Sequence, residues 1–139
     1  MTIVNTSEVS DGTFWLGDDG IVRAVIPHGA EDTLEKAKAS LQEIKKTCMG
    51  KRRPILVDLR YLKSASYEAR CYWAGEETAK TVSAVALWVD SPVSKVLGNF
   101  YLGLNRSSAP TKLFNDEDKA LQWLEGYLTT DTDDQMPQP

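Results

Sequence analysis

The sequence predicts an α/β fold with a mixed sheet, parallel in its centre, and helices packed on it. Two stretches, ILVDLR after Pro54 and Ser83 to Val89 (SAVALWV), open on continuous apolar runs, as expected of strands covered on both faces. Each is followed by a segment with helical spacing, so strands and helices alternate as β-β-α-β-α-β-α-β-α. The length, 139 residues, fits one domain able to bury an ordinary core.

The first two strands form a hairpin. TFWLG (13–17) and IVRAVIP (21–27) flank Asp18-Asp19-Gly20, a turn between two β-rich runs. The first helix opens at Asp32 as N-cap, with Glu35 completing a capping box. Leu34, Ala37, Leu41, Ile44 and Cys48 recur at spacings of three and four on one stripe, and Gly50 ends the helix. Lys45, Lys46, Lys51, Arg52 and Arg53 gather at and beyond its C-terminal end, where positive charge complements the helix dipole.

ILVDLR ends on Asp58 and Arg60, and the loop YLKSAS leads into a second helix over 67–81, with Ser64 or Ser66 as N-cap. After SAVALWV, Asp90-Ser91-Pro92 supplies an N-cap and a proline at the first helical position. Val93, Val96, Leu97, Phe100, Tyr101 and Leu104 make the stripe of a third helix, interrupted by Gly98 and Gly103. TKLF (111–114) is a short edge strand. Asn115 caps a last helix whose first turn is acidic and whose inner side is Ala120, Leu121, Leu124, Tyr127 and Leu128. The domain therefore spans 13–128. Residues 129–139, TTDTDDQMPQP, read as a disordered acidic tail, and the first dozen residues as loose or an edge strand.

Composition narrows the function. The net charge is −4, from 16 basic and 20 acidic residues, which opposes the basic footprint of nucleic-acid binding. No apolar run approaches a membrane span, and MTIVNTSEVSDG has neither the basic nor the apolar region of a secretory leader. Cys48 and Cys71 form no CxxC pair and suit a reduced compartment, so the expected location is cytoplasmic. His28 is the single histidine and is expected in an exposed loop. Neither a nucleophile-elbow word, a phosphate-loop word nor a metal-ligand cluster is present. Glu76-Glu77, Asp116 to Asp118 and Asp133-Asp134 read as a solvated face, a helix cap and the tail. The expectation is a non-enzymatic protein without metal or cofactor.

In open α/β sheets, ligands gather beyond the C-terminal ends of parallel strands. If ILVDLR and SAVALWV are neighbours, Asp58, Arg60, Ser64 and Ser66 meet Asp90, Ser91 and Ser94 there, beside two helix N-termini, with Arg70 one turn into the second helix. This rim is the candidate site for a partner or an anion. The competing reading is structural: serines that cap, Asp90 that closes a turn, and Arg70 paired to a carboxylate. A further candidate comes from the aromatic residues Tyr72, Trp73, Trp88, Phe100, Tyr101 and Trp123. Rings dominate cores, but some lining a gap between helices and sheet would admit a small apolar ligand.

The element order, with VDLR ending a central strand and a serine-bearing loop before the next helix, resembles the STAS domain of bacterial anti-sigma-factor antagonists. LVDLRYLKSASYEAR, VALWVDSPVSKVLGNFYLGLN and PTKLFNDEDKALQWL are similar to uncharacterised bacterial proteins of the SpoIIAA-like, or STAS/SEC14-like, group, from Phe14 to Leu128. The resemblance implies a signalling or protein-interaction module whose serine, in the antagonists, follows an aspartate and is phosphorylated by a partner kinase. Here the matching stretch is Lys63-Ser64-Ala65-Ser66-Tyr67, without the Asp-Ser pair; Ser66 is the nearest equivalent and Ser64 the second. The partner is then a kinase or regulatory protein, with homodimerisation through an edge strand as a further option. The alternative is a binder or carrier of a small, lipid-like apolar ligand.

Overall fold

The computed structural model describes residues 12–92 and 109–135. Strands β1 (Thr13–Leu16), β2 (Val22–Val25), β4 (Arg53–Asp58), β6 (Val82–Trp88) and β7 (Thr111–Phe114) form one sheet in the order β1-β2-β4-β6-β7. A separate two-stranded piece joins β3 (Glu31–Asp32) to β5 (Ser64–Ala65). The helices are α1 (Leu34–Cys48), α2 (Tyr67–Trp73), α3 (Glu76–Thr81) and α4 (Glu117–Gln135).

Only β1 and β2 are antiparallel; β2, β4, β6 and β7 run the same way. The two apolar strands lie side by side as expected, with Ile55 opposite Val85 and Val57 opposite Leu87. Side chains alternate across a strand. Val22, Ala24, Ile55, Val57, Val85 and Leu87 therefore face α1 to α3, while Leu56, Ala84 and Ala86 face α4.

The α4 face packs around small residues. Ala84 and Ala86 are small enough to let Ala120 and Leu124 of α4 approach the sheet, and all four are fully buried. Phe114, Trp123 and Tyr127 extend this layer, with ring centroids 5.6 and 5.0 Å apart. The opposite face holds two clusters instead of one. Val22, Ala24, Leu41, Ile44, Cys48, Ile55 and Val82 form the first; Ala30, Leu59, Leu62, Leu87 and Val89 form the second. Val57, Trp73 and Val85 pack against both.

Several local expectations are corrected. Thr33, not Asp32, caps α1: its hydroxyl accepts from Lys36 N at 3.2 Å, while Asp32 belongs to β3. Glu35 therefore falls out of register for a capping box. The segment 67–81 is two helices rather than one, because the chain leaves α2 at Ala74 and restarts after the extended Gly75. Ser66 is the N-cap of α2, accepting from Ala69 N at 3.1 Å. Asp116 rather than Asn115 caps α4, its Oδ1 accepting from the backbone N–H of Asp118 and Lys119. That helix continues past Leu128 to Gln135, since adding residues to an existing helix costs little. The chain is helical at Pro92, but the rest of the expected third helix, with Ser94, Phe100 and Tyr101, lies outside the described residues. So do the first eleven residues and 136–139. Among the described residues no helix is long and apolar enough to cross a membrane, and no cluster of His, Cys, Asp or Glu suits a metal.

The β1–β2 turn illustrates how short-range polar groups set register. Gly20 has φ 85°, open to glycine at little cost, and its N–H bonds Gly17 O at 3.0 Å. Asp19 accepts from Ile21 N at 3.0 Å and from the Arg23 guanidinium at 2.6 Å. The Arg23 hydrogen bonds hold the Asp19 carboxyl below the usual carboxylate range. A carboxylate lowered on folding stabilises the native state above its unfolded pKa and loses that contribution as pH falls through the folded value. Asp19→Asn is therefore expected to lower stability slightly at pH 7 and by less near pH 3, below the unfolded pKa, where the contribution has begun to be lost. Urea denaturation at the two pH values checks this; an equal difference at both would reject the pair as its source.

Candidate functional site

Between the divided face of the sheet and the helices lies a partly open cavity of about 90 Å³. Its floor is Ala24, Ile55, Val57, Val85 and Leu87. Leu41 and Ile44 of α1, Trp73 of α2 and Thr78 of α3 cover it, and Leu59 and Leu62 close one side. Trp73, Ala74 and Thr78, on either side of the break between the short helices α2 and α3, all line the void.

The polar lining is unevenly placed. Glu31, Asp32 and Lys36 come from β3 and the first turn of α1, near the C-terminal ends of the parallel strands. Glu31 is exposed and the other two are half-buried, so the cavity meets the surface there. Asp32 Oδ2 accepts from the Trp73 indole N–H at 2.8 Å, which fixes the ring edge-on to this side. Thr78 and Val82 lie toward the N-terminal ends of the strands, where α3 runs into β6. Thr78 is 4% exposed and its hydroxyl has no hydrogen-bond partner.

The rim residues sit at the same end of the sheet as the opening, but their polar groups are engaged within the fold. Asp58 is buried and takes a two-pronged bond from Arg60, Nε to Oδ1 and Nη2 to Oδ2, each 2.9 Å. The Arg60 guanidinium lies 3.6 Å from the centroid of Trp88, and the Asp58 carboxylate raises its pKa first by hydrogen bonding, with Asp90 adding to the field. Ser66 caps α2, and Arg70 Nε donates to Ser66 O at 3.4 Å while its guanidinium lies 5.8 Å from the Tyr67 ring centre. Ser64 is exposed in β5, opposite Glu31. Asp90 is exposed and Ser91 half-buried, and both have interaction partners. The structure thus draws Asp58, Arg60 and Asp90 together on the α4 side of the sheet, and Ser64, Ser66 and Arg70 around α2. His28 is exposed, as expected, and stacks on Tyr61 at 5.5 Å.

Residues 14–128 match the family model described as a domain of unknown function, DUF7793. The chain belongs to this family. A search of curated proteins finds no match. Among solved structures, the chain is similar to an uncharacterised DUF3478-family protein with a SpoIIAA-like fold from Shewanella loihica PV-4. That likeness has a TM-score of 0.54 and 19% identity, and covers 81% of this chain and 91% of the other. A protein of unknown function from Arthrobacter sp. FB24 is 36% identical over 88% of this chain and 96% of its own, with a TM-score of 0.32. The Shewanella structure shows that the DUF7793 chain has the SpoIIAA-like fold, in line with the resemblance read from the sequence.

Sequence reasoning reached Trp73 as a possible gap-lining ring but missed Asp32, Val57, Thr78 and Val85 as cavity walls. Trp88 and Trp123 belong to the other face.

If Asp58, Arg60 and Trp88 form a structural clamp, Arg60→Lys removes both the planar fork and the ring stack. The expected cost is about 1–3 kcal/mol, typical of hydrogen bonds to charged groups. Denaturant unfolding measures it; a change within the few tenths typical of an exposed surface pair would show that the clamp is idle.

Proposed function

We propose that the domain is a non-enzymatic binder of a small apolar ligand, held between α1 to α3 and the sheet. One observation carries this reading: an apolar void of about 90 Å³ lies in the core beneath α1 to α3. Interiors normally pack to crystal-like density, and a void forfeits dispersion contacts along its walls. A bound hydrocarbon group restores them. The volume is of the order of the roughly 150 Å³ cavity that admits a benzene ring. It suits one ring or a short branched chain, with any longer tail leaving through the opening by Glu31.

Filling the void tests the idea without touching the rim. Val57→Phe adds carbon to the cavity floor, so thermal stability is expected to hold or rise while ligand binding falls at least tenfold. Toluene at millimolar concentration is a suitable probe, read by saturable NMR shifts of the Val57, Val85 and Leu87 methyls. Native mass spectrometry of freshly purified protein is expected to show a co-purified adduct. Absence of both signals in the unmodified protein would end this reading.

A second reading, a docking module for a kinase or regulatory protein, is favoured by one feature. Ser64 is exposed and paired across from Glu31, at the opening of the cavity. A phosphate there places nearly two negative charges beside an existing carboxylate and so alters the surface around the opening. Intact mass of protein from its native host, with Ser64→Ala and Ser66→Ala controls, is expected to show one phosphate lost with Ser64→Ala. Unmodified protein under kinase-active conditions counts against it.

A further inference from the structure

The two edges of the main sheet are built differently. β7 ends the sheet on one side and carries the exposed Lys112, a charge that hinders pairing with a further strand. β1 ends it on the other side with Thr-Phe-Trp-Leu, rich in strand-forming residues and without charge or proline. The register with β2 decides which backbone groups face outward. Gly17 N–H bonds Ile21 O at 3.0 Å, so Gly17, Trp15 and Thr13 turn their amides and carbonyls toward β2. Those of Phe14 and Leu16 point away from the sheet, and among the described residues nothing bonds them. Trp15 stands between these two residues, on the side of the sheet that α4 covers. That helix lies over β4, β6 and β7, and Trp15 is left 45% exposed.

From this edge we infer that β1 pairs antiparallel with β1 of a second copy of this chain, about a two-fold axis through Trp15, and joins the two sheets into one. In that register Phe14 of one copy lies opposite Leu16 of the other, and each such pair exchanges both of its backbone hydrogen bonds. Trp15 lies opposite Trp15 in the non-hydrogen-bonded position, where facing side chains come closest and aromatic pairs stabilise a sheet. Moving the axis to Phe14 or Leu16 separates the indoles. Charge permits the pairing. Asp18 falls opposite Gly12 and Thr13 opposite Gly17, so no like charges face each other along residues 12–18. Arg23, the neighbour of Trp15 on β2, is already neutralised by Asp19 at 2.6 Å. A strand of an unrelated protein finds the same backbone groups here, but only a copy of this chain brings a second indole to the matching position.

Sedimentation velocity across a concentration series is expected to show a monomer–dimer equilibrium in the unmodified protein. Trp15→Lys and Trp15→Glu each set like charges against one another at the axis and are expected to weaken the dimer at least about tenfold. Mixing the two variants restores it, because a lysine then faces a glutamate across the axis. Lys112→Glu, on the opposite edge, leaves the equilibrium unchanged. Amide exchange reads the same contact without any substitution. The Phe14 and Leu16 amides are expected to gain at least about tenfold protection between dilute and concentrated samples, whereas the Trp15 amide, bonded to β2 in either state, does not. A monomer at every concentration overturns the proposal. So does a dimer indifferent to charge at Trp15, or a Lys–Glu mixture that stays monomeric while both variants are folded by circular dichroism.

Discussion

Parallel pairing of β4 and β6 is the constraint from which the rest of the molecule follows. Two strands with apolar residues on both faces cannot stand in water on either, so helices must cover both sides. The parallel direction in turn requires a crossover long enough to hold α2 and α3, and right-handed connections leave few ways to place them. β2 pairs in parallel with the other edge of β4, so both crossovers step the same way across the sheet, and right-handed connections put α1 on the same side as α2 and α3. Three helices thus share one face. Among the described residues a single helix, α4, packs on the other.

Opposite α4, the sheet presents the small Ala84 and Ala86, against which Ala120 and Leu124 are fully buried. On the other side, the described covering elements are one long helix and two short ones that meet at Gly75. Short helices supply fewer side chains per length of sheet, and a break interrupts the ridges that would interdigitate with the strands. Trp73 compensates in part. Its ring packs against both clusters, and its indole N–H is anchored by Asp32, so a single large side chain bridges what the backbone leaves open.

The five strands of the main sheet, the hairpin and α1 were legible because their signals are local and repeated: apolar runs, an Asp-Gly turn, and five apolar positions at helical spacing; the two-residue strands β3 and β5 carry no such signal. Single-residue decisions were less so. Asp32 and Thr33 are both good caps, and the choice depends on Asp32 being drawn away by Trp73, forty-one positions later. The sequence A-G-E-E reads equally as a weak point inside a helix or as the start of a new one, and tertiary packing decides between them. The cavity was the least accessible to sequence reasoning. A void is the difference between the space that the backbone encloses and the side chains that fill it, and no local pattern encodes that difference. The one usable hint, a surplus of aromatic rings, pointed to Trp73 but equally to Trp88 and Trp123 on the α4 face.

A shared fold transmits architecture and not function, so the Shewanella structure leaves the role of this chain to be argued from its own side chains. The useful question is where polar groups and apolar walls remain unsatisfied after folding. At the strand-end rim most of the demand is met internally: Asp58 by Arg60, Arg60 also by Trp88, and Ser66 by the first turn of α2. A partner docking there gains only by replacing bonds already made. In the cavity the apolar walls lack opposing atoms, so an incoming hydrocarbon group gains contacts without displacing a hydrogen bond of the fold. That difference in what remains unmet, more than the position of a serine, is what supports our proposal of a ligand site beneath the helices.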